Sequence, residues 1–590
     1  MKIAYLDGFR FFRMLQVGAH AIIKSQNKLD SMNVFPVADA DTGINMAMTM
    51  EAVLSQATVS RNLKTTLSSV ADAALMGARG NSGIILAQYL HGLSAEVPDS
   101  ETISALEFAK VAQRAVSHLY RSIMNPVEGT ILTVIREWSE FLTEHSHPDF
   151  VQMISGSLAR AQVSLKETPH KLKILADAKV VDAGASGFVI FLEAVVDFLH
   201  YGSMRKLAPV VHSKRNIVEY HSSAPASYRF CLECLLGNCS CSHETLKELL
   251  SPLGDSLILA GGSKKLHIHI HSNNPESVFE SIRPLGDLSS IKVDDMKRQY
   301  ETSHEQKFPI GILTDSACDL PDYLMDRYQI SRIAFGINFG KDFYLDRDTL
   351  TAENFYRMLQ SKKPHPQSSQ PSPQSVQSAI NHMAENYNKV FAIHISSHLS
   401  GIYQSAAAYI AAREDDKVHL VDSKQLSVSE GLLVLRVARS IEAGLSFGQI
   451  SSQLDTWIRN THIYTDINTL KYMVRGGRVP PLTGILAAAL NLKPIVGLDR
   501  EGKAQITGKS FSRAQNMKKI LAIVDNELKQ KNLWEYAIVH AEAQNRAEEY
   551  GRLLTRLTGK SPAYIMPLSP VVGVHNGIGA VGIGVIYDTD

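Results

Sequence analysis

Asn33-Val-Phe-Pro-Val-Ala-Asp39-Ala-Asp41-Thr-Gly43-Ile-Asn45-Met46 reads as a loop entering a helix. From Asp7 to about Tyr201 the surrounding apolar residues recur mostly at helical spacing, as in Phe9, Phe12 and Val17, or Leu132, Ile135, Trp138 and Phe141. Convincing period-two strands are absent there, which predicts an all-helical domain whose inter-helix loops carry the chemistry. Two aspartates set two residues apart beside a turn repel each other unless a cation neutralises them, so Asp39 and Asp41 read as hard-metal ligands. The Thr42-Gly43 turn offers backbone N–H groups to an anion next to that metal. Gly77-Ala-Arg79-Gly80-Asn81-Ser82-Gly83 is a second glycine-rich segment suited to wrapping phosphates. Magnesium on carboxylates beside phosphate-binding backbone is the equipment of phosphoryl transfer. The bland alternative is a solvated turn with a helix cap at Thr42. It wins for an isolated Asp-x-Asp and loses once Asn33, Asn45 and residues 77–83 are weighed together.

At 590 residues the chain is long enough for three or four domains, each with its own core. Its composition, 45% hydrophobic and 20% charged with a formal net charge of +1, gives no electrostatic reason to expect nucleic acid or an anionic membrane surface as a partner. The N-terminus lacks the apolar run of a signal peptide, and the most apolar stretch, residues 484–490, is too short to span a bilayer. Five cysteines, four of them between Cys231 and Cys241, do not make a disulfide framework, so the expected compartment is the cytoplasm.

The helical pattern fades over residues 207–227. A smaller α/β segment follows, with strands predicted near 228–236, 257–260 and 266–271 and helices near 244–250 and 275–282. After a break at 301–307, apolar runs at 309–315, 390–395, 418–421, 536–540 and 581–586 alternate with helices, which predicts an α/β domain with substantially parallel sheet. The stretch Lys363-Pro-His-Pro-Gln-Ser-Ser-Gln-Pro-Ser-Pro373 reads either as a linker or as a binding loop inside that domain. The fold class is thus a helical antiparallel barrel or bundle, then a small α/β domain, then a larger α/β domain.

Two motifs fail on context. Gly577-Ile-Gly579-Ala-Val-Gly582 matches the dinucleotide fingerprint, but Asp590 comes too soon for the helix and acidic residue that fold requires. Gly502 and Gly508-Lys509-Ser510 are one residue too far apart for a P-loop, and Arg500-Glu-Gly502 reads as a hairpin turn. No Gly-x-Ser-x-Gly elbow occurs.

Residues 33–46, Met76-Gly-Ala-Arg-Gly-Asn-Ser-Gly83, Pro126-Val-Glu-Gly-Thr-Ile-Leu-Thr133 and Val181-Asp182-Ala-Gly184-Ala-Ser-Gly187 resemble, in order, the ATP-binding (DhaL-type) family of dihydroxyacetone kinases, in the branch found in bacterial fatty acid kinases. The resemblance implies a helical bundle with ATP at one end. Asn33, Asp39 and Asp41 would hold Mg2+ against the triphosphate, and Thr42, Gly43, Asn45, Gly80, Asn81 and Ser82 would meet phosphate. Asp182 and Gly184 would lie near the nucleoside, and Arg79 would either steady the transferring charge or form a structural salt bridge. Ala38 and Ala40 stand where the family usually has Pro and Gly. Alanine at a site needing positive φ costs on the order of 1 kcal/mol, which leaves both aspartates in place.

On a strand, Leu266-His267-Ile-His269-Ile-His271 puts three imidazoles on one face, a zinc site or simply a polar sheet face. On a strand at 228–236, Cys231 and Glu233 share a face and Cys234 points away. The segment resembles the middle domain of fatty acid kinases, which implies a cluster of Cys231, His269 and His271, with Zn2+ as its ion. From about residue 308 the chain resembles the DegV family of fatty-acid-binding proteins, through Thr314-Asp-Ser316, Ser368-Ser-Gln-Pro-Ser372, Ile395-Ser-Ser-His-Leu-Ser400-Gly401-Ile-Tyr-Gln-Ser405, Val421-Asp-Ser423, Arg475-Gly-Gly-Arg478, Asn491-Leu-Lys-Pro494 and Gly573-Val-His575-Asn-Gly577. It implies Ser368, Ser400 and His575 at an acyl carboxylate, with Arg478 nearby. Such side chains suit a carboxylate.

These resemblances imply domains at 1–205, 206–303 and 308–590, and a one-chain enzyme converting fatty acid and ATP to acyl phosphate and ADP. Downstream enzymes that use acyl phosphate are the expected partners, and transfer within the chain or across a homodimer is left open. Alternatives are a kinase of a small hydroxyl substrate such as dihydroxyacetone, or a lipid-binding protein without turnover.

Overall fold

The computed structural model of the chain describes residues 2–35, 41–202, 227–361, 364–413, 415–477 and 492–588. Two compact units emerge, Met1–Lys297 and Arg298–Asp590.

The first unit opens with helices, as the apolar spacing predicts: α1 (Gly8–Lys24), α2 (Gln26–Asp30), α3 (Thr42–Gln56), α4 (Leu63–Gly77), α5 (Gly80–Glu96), α6 (Ala105–Ser122), α7 (Ile131–Glu144), α8 (Phe150–Lys171), α9 (Lys173–Ala178) and α10 (Ala183–Tyr201). Ile22, Met50, Val70, Ala87, Ala112, Ile135 and Leu192, drawn from seven of these helices, are buried in one shared core. The expectation of no strand in this region needs one correction. β1 (Tyr5–Asp7) pairs antiparallel with β2 (Thr102–Ser104), a ribbon of three residues per strand and too short to show a period of two. By length and hydropathy α10 would cross a membrane, but over half of it is buried inside this unit.

The middle sheet has the order β4-β5-β3-β6, with β3 (Phe230–Gly237), β4 (Asp255–Gly262), β5 (Lys265–Ser272) and β6 (Asp287–Asp295) all antiparallel to their neighbours. β6, unanticipated, is mostly polar and half-exposed, so it gives no apolar alternation. Helices α11 (His243–Leu250) and α12 (Pro275–Ile282) cover one face through Leu246, Leu250, Val278, Phe279 and Ile282. The sheet is tied to the helices: Gly261 N donates to Gln88 Oε1 at 2.7 Å, and Met124 N to the Leu257 carbonyl at 3.0 Å.

The second unit contains a four-stranded sheet ordered Val418–Asp422, Lys389–His394, Ile310–Asp315, Ser331–Ile333, parallel throughout. A six-stranded sheet runs Ala504–Ser510, Lys493–Leu498, Thr461–Asp466, Val581–Asp588, Asn532–His540, Ile565–Pro567, and only its last pair is parallel. A third sheet, Asp342–Leu345, Gly336–Phe339, Gln367–Ser369, is antiparallel, so the expected parallel sheet holds for one sheet of the three. Strands buried on both faces read as continuous apolar runs in either direction, so periodicity cannot supply their polarity. Gly502, at φ +82°, sits in the turn between Lys493–Leu498 and Ala504–Ser510, in keeping with the hairpin reading. Gly577 ends the helix Pro570–Asn576 and Val581 begins the final strand, which disposes of the dinucleotide fingerprint.

Candidate functional site

In the first unit the amino ends of four helices gather. Thr42 Oγ1, opening α3, lies 3.5 Å from Ser82 Oγ in the first turn of α5. A side chain at Gly184, in α10, would come 3.4 Å from both Ser82 Oγ and Ile131, which opens α7. Converging helix starts concentrate unsatisfied N–H groups and positive dipole ends, a setting that favours anions. Asn81 contributes a buried Oδ1 that has no partner.

The carboxylates here do not all act as predicted. Asp41 precedes α3 but forms no side-chain cap bond among the described residues. Asp30, which sequence reasoning missed, provides the cap: its Oδ1 accepts from Gly43 N at 2.7 Å and Ile44 N at 3.1 Å. A Cβ at Gly43 would stand 2.2 Å from the Gln26 carbonyl, so the glycine lets α2 and α3 approach, and its N–H is engaged by Asp30 rather than offered to a ligand. Nothing in the spacing marks Asp30, because its contact depends on how the chain returns through residues outside the described set. Asp39 lies outside the described residues; Asn33 is buried.

Gly80 has φ +53°, and a Cβ there would meet Asn45 Nδ2 at 2.2 Å, which explains both residue types. Its N–H donates to Glu233 Oε1 on β3 at 2.8 Å. Arg79 donates to the Ala78 carbonyl at 2.9 Å and forms no ion pair among the described residues. Asp182 caps α10, accepting from Ala185 N at 2.7 Å, and burial raises its pKa to about 6 against the pull of the Ala185 and Ile131 amides.

Facing this loop, the middle sheet carries two rows of polar side chains. Register aligns Lys292, Glu233 and His269 across β6, β3 and β5, and Asp294, Cys231, His271 and Asp255 across β6, β3, β5 and β4. Ligand atoms of Cys231, His269 and His271 lie within 4.8 Å of one another. The imidazole Nε2 atoms of His269 and His271 are 3.2 Å apart. His269 Nδ1 is 3.4 Å from Glu233 Oε1, and His271 Nδ1 is 3.5 Å from Asp255 Oδ1. Burial lowers the pKa of His271 to about 3, and burial above all, with Arg79 among the charges opposing Glu233, brings His267 to about 4. Burial, then Glu233 and Asp294, push the Cys231 thiol up, with Asp41 contributing from across the site.

A proton count tests whether these residues suit a metal. The neutral cluster has two imidazole N–H groups and one thiol S–H, and its contacts crowd on His269: Nδ1 faces both Glu233 Oε1 and, at 3.8 Å, Cys231 Sγ, while Nε2 faces His271. A cation held by Cys231 and the two imidazoles through Nε2 would relieve this, because each Nδ1–H would then face a carboxylate, the arrangement that orients metal-binding histidines. Cys231, His269 and His271 therefore fit Zn2+. Cys234 is buried on the opposite face, as the strand period requires.

In the second unit, a cavity of about 920 Å³, open to solvent, is lined by Phe335, Ile395, Leu399, Leu426, Ile463, Met473 and Val572 among other apolar groups, and by Ser368, Ser400 and His575. Ser368 Oγ is 2.9 Å from His575 Nε2. Residues Gln367–Ser369 form a strand antiparallel to Gly336–Phe339, so this part of the proline-rich stretch lies inside the domain rather than between domains. Three of the four proposed head-group residues thus share one cavity; Arg478 lies outside the described residues.

His575 rides on the helix Pro570–Asn576, whose start is held by buried acids that the sequence did not flag. Asp319 Oδ1 accepts from Ser569 N at 3.0 Å and from Arg347 at 2.5 Å, and Asp346 Oδ1 accepts from Val571 N at 3.1 Å. Burial raises Asp346 to about 7 despite Arg347 beside it.

Comparison with known proteins follows the same division. Residues 36–197 match the DAK2 domain, residues 227–303 the FakA-like middle domain, named for a fatty acid kinase, and residues 309–588 a family of uncharacterised proteins, the DegV family. The chain carries a DAK2, a middle and a DegV domain, in that order. Protein YloV of Bacillus subtilis is 32% identical over 343 residues, 53% of this chain and 62% of that protein. An uncharacterized protein of Staphylococcus saprophyticus is 31% identical over 314 residues, 50% of this chain and 56% of that protein. The chain thus spans somewhat over half the length of these curated relatives. Among solved structures, DegV, a fatty acid binding protein from Bacillus subtilis, is similar at 24% identity and a TM-score of 0.44, covering 48% of this chain and 100% of that one. A stearic acid-binding protein from Eubacterium ventriosum gives 24% and 0.44, covering 47% and 98%.

The raised pKa of Asp182 makes a stability prediction for the DAK2 domain. Folding favours its protonated form, so its contribution is full below about pH 4 and is lost as pH rises through about 6. Asp182→Asn keeps an acceptor for the cap and removes the charge. Thermal melts of parent and variant should diverge between pH 4 and 7, the variant gaining on the order of 3 kcal/mol at the upper end. Parallel melting curves would show that Asp182 is solvated.

Proposed function

We propose that this chain is a fatty acid kinase joined to its own carrier, making acyl phosphate and ADP from a fatty acid and ATP. The observation that carries the reading is the DegV-domain cavity, largely apolar along its walls, with Ser368, Ser400 and His575 among its polar groups. Burying each methylene of an acyl tail gains roughly 0.8 kcal/mol, so a chain of about 14 methylenes is held firmly while its carboxylate stays with the polar cluster. Ser368 and Ser400 donate O–H bonds to that carboxylate, His575 orients Ser368, and Arg478 steadies charge nearby.

In the DAK2 domain, Asn33, Asp39 and Asp41 would hold magnesium, which supplies charge neutralisation on the β- and γ-phosphates when bound. Thr42, Asn45, Asn81 and Ser82 receive phosphate oxygens with side-chain donors at the starts of α3 and α5. The N–H groups of Gly43 and Gly80 are already engaged by Asp30 and Glu233, so side chains carry more of this task than the glycine pattern predicts. Arg79, without an ion-pair partner among the described residues, is available to the transferring phosphoryl group. A fatty carboxylate is ionised at neutral pH and needs no general base to attack phosphorus. Asp182 and Gly184 flank the nucleoside. On this reading the chain serves lipid metabolism in the cytoplasm.

Purified protein given Mg2+, ATP and oleate, then hydroxylamine, should yield oleoyl hydroxamate, and Asp41→Asn should lower the yield at least about a hundredfold. ATP consumption with dihydroxyacetone and none with oleate would replace the substrate class; bound lipid with no turnover would remove the kinase. Ser368→Ala and His575→Ala should leave Mg·ATP affinity unchanged and weaken oleate binding roughly tenfold or more by titration with a fluorescent fatty acid. Unchanged oleate affinity in both would move the head-group site elsewhere.

A further inference from the structure

Glu233 occupies a position that neither the nucleotide site nor the metal cluster requires on its own. Its Oε1 accepts from Gly80 N at 2.8 Å and stands 3.4 Å from His269 Nδ1. One carboxylate oxygen therefore touches both the turn that opens α5 and an imidazole of the Cys231–His269–His271 cluster. The side chain is buried, and its Oε2 has no hydrogen-bond partner among the described residues. Lys292 lies alongside in register on β6.

The proton count gives this contact two states. With no cation at the cluster and a proton shared between His269 and His271, His269 Nδ1 accepts the Cys231 S–H, 3.8 Å away, and makes no hydrogen bond to Glu233. With a cation on Nε2, His269 must carry its proton on Nδ1 and donate it to Glu233. The carboxylate is then fixed against Gly80 N, and with it a turn whose φ of +53° places Asn81 and Ser82. Preorganising that turn lowers the ordering cost of any phosphate it receives.

We propose that Glu233 couples the two sites, so that a divalent cation at Cys231, His269 and His271 and a nucleotide at residues 79–82 each tighten the other. The inference rests on the nucleotide reading of that turn. Linkage requires the effect to be reciprocal: whatever factor Zn2+ adds to nucleotide affinity, nucleotide must add to Zn2+ affinity.

The test measures binding in the intact protein. Zn2+ affinity is read by competition with a chromophoric chelator, with and without saturating Mg·ADP. Mg·ADP affinity is read by calorimetry, with and without Zn2+. The parent should show the same factor in both directions, about tenfold. Glu233→Ala should bind each ligand singly with the factor reduced to about one, and Glu233→Gln, which keeps an acceptor of the same shape, should retain part of it. Thermal melts establish that the variants fold, and the isosteric Glu233→Gln carries the test if Glu233→Ala does not. A parent that binds both ligands with a factor of one, or a Glu233→Ala protein that keeps the full factor, overturns the coupling. A parent that binds no Zn2+ overturns it as well. A parent that binds Zn2+ but no Mg·ADP under any condition overturns the kinase reading first, and the coupling with it.

Discussion

Helix starts cannot be left bare in a folded interior, and the DAK2 domain brings four of them together around Ser82. The unsatisfied N–H groups of α3, α5, α7 and α10 create a demand for negative charge that hydrophobic packing cannot meet. Three carboxylates answer it, each from a different place in the chain. Asp30 reaches from α2 to Gly43 and Ile44, Glu233 from the middle sheet to Gly80, and Asp182 from the residue before its own helix to Ala185. Asp41 is the exception, an acid at a helix start that does not cap it. A carboxylate released from structural duty beside a positive field is suited to holding a cation against a polyanion.

The DegV domain solves a related problem with the charges reversed in purpose. Its cavity must be apolar along the tail and polar at one end, and the polar end needs an imidazole held in place by something other than the ligand. The helix bearing His575 is only seven residues long and cannot hold its own orientation. Asp319 and Asp346 grip its first turn from the buried interior, while a glycine at position 476 lets the backbone come up beneath the imidazole, where a Cβ would stand 2.0 Å from Nδ1. Burial raises the pKa of Asp319, and Arg347, bonded to it, opposes that rise.

Much of this was legible in the residues. Helical spacing separated the first 200 residues from the rest, and a period of two in 266–271 put His267, His269 and His271 on one face. The same period placed Cys231 with Glu233 and sent Cys234 to the far side, as the structure has it. What the period could not supply was register: that Cys231 lies opposite His271, or Glu233 between Lys292 and His269, follows from strand pairing across tens of residues. Glycines were recognised as loop markers, but Gly43 exists for helix approach, whereas Gly80 also takes a positive backbone angle. Asp30, Asp319 and Asp346 carried no signal, since an acid that caps a distant amide looks like any surface acid until the chain is folded. Strand direction in the six-stranded sheet was invisible for a similar reason, both faces being covered.

Movement of a phosphoryl group from ATP to a carboxylate oxygen on this one polypeptide is the central claim. Phosphorus NMR of the purified chain with Mg·ATP and oleate reads that transfer directly. A mixed-anhydride resonance is expected to grow in step with ADP and to be absent when oleate is left out. ATP that stays intact, or that yields only ADP and inorganic phosphate whether or not oleate is present, would contradict it.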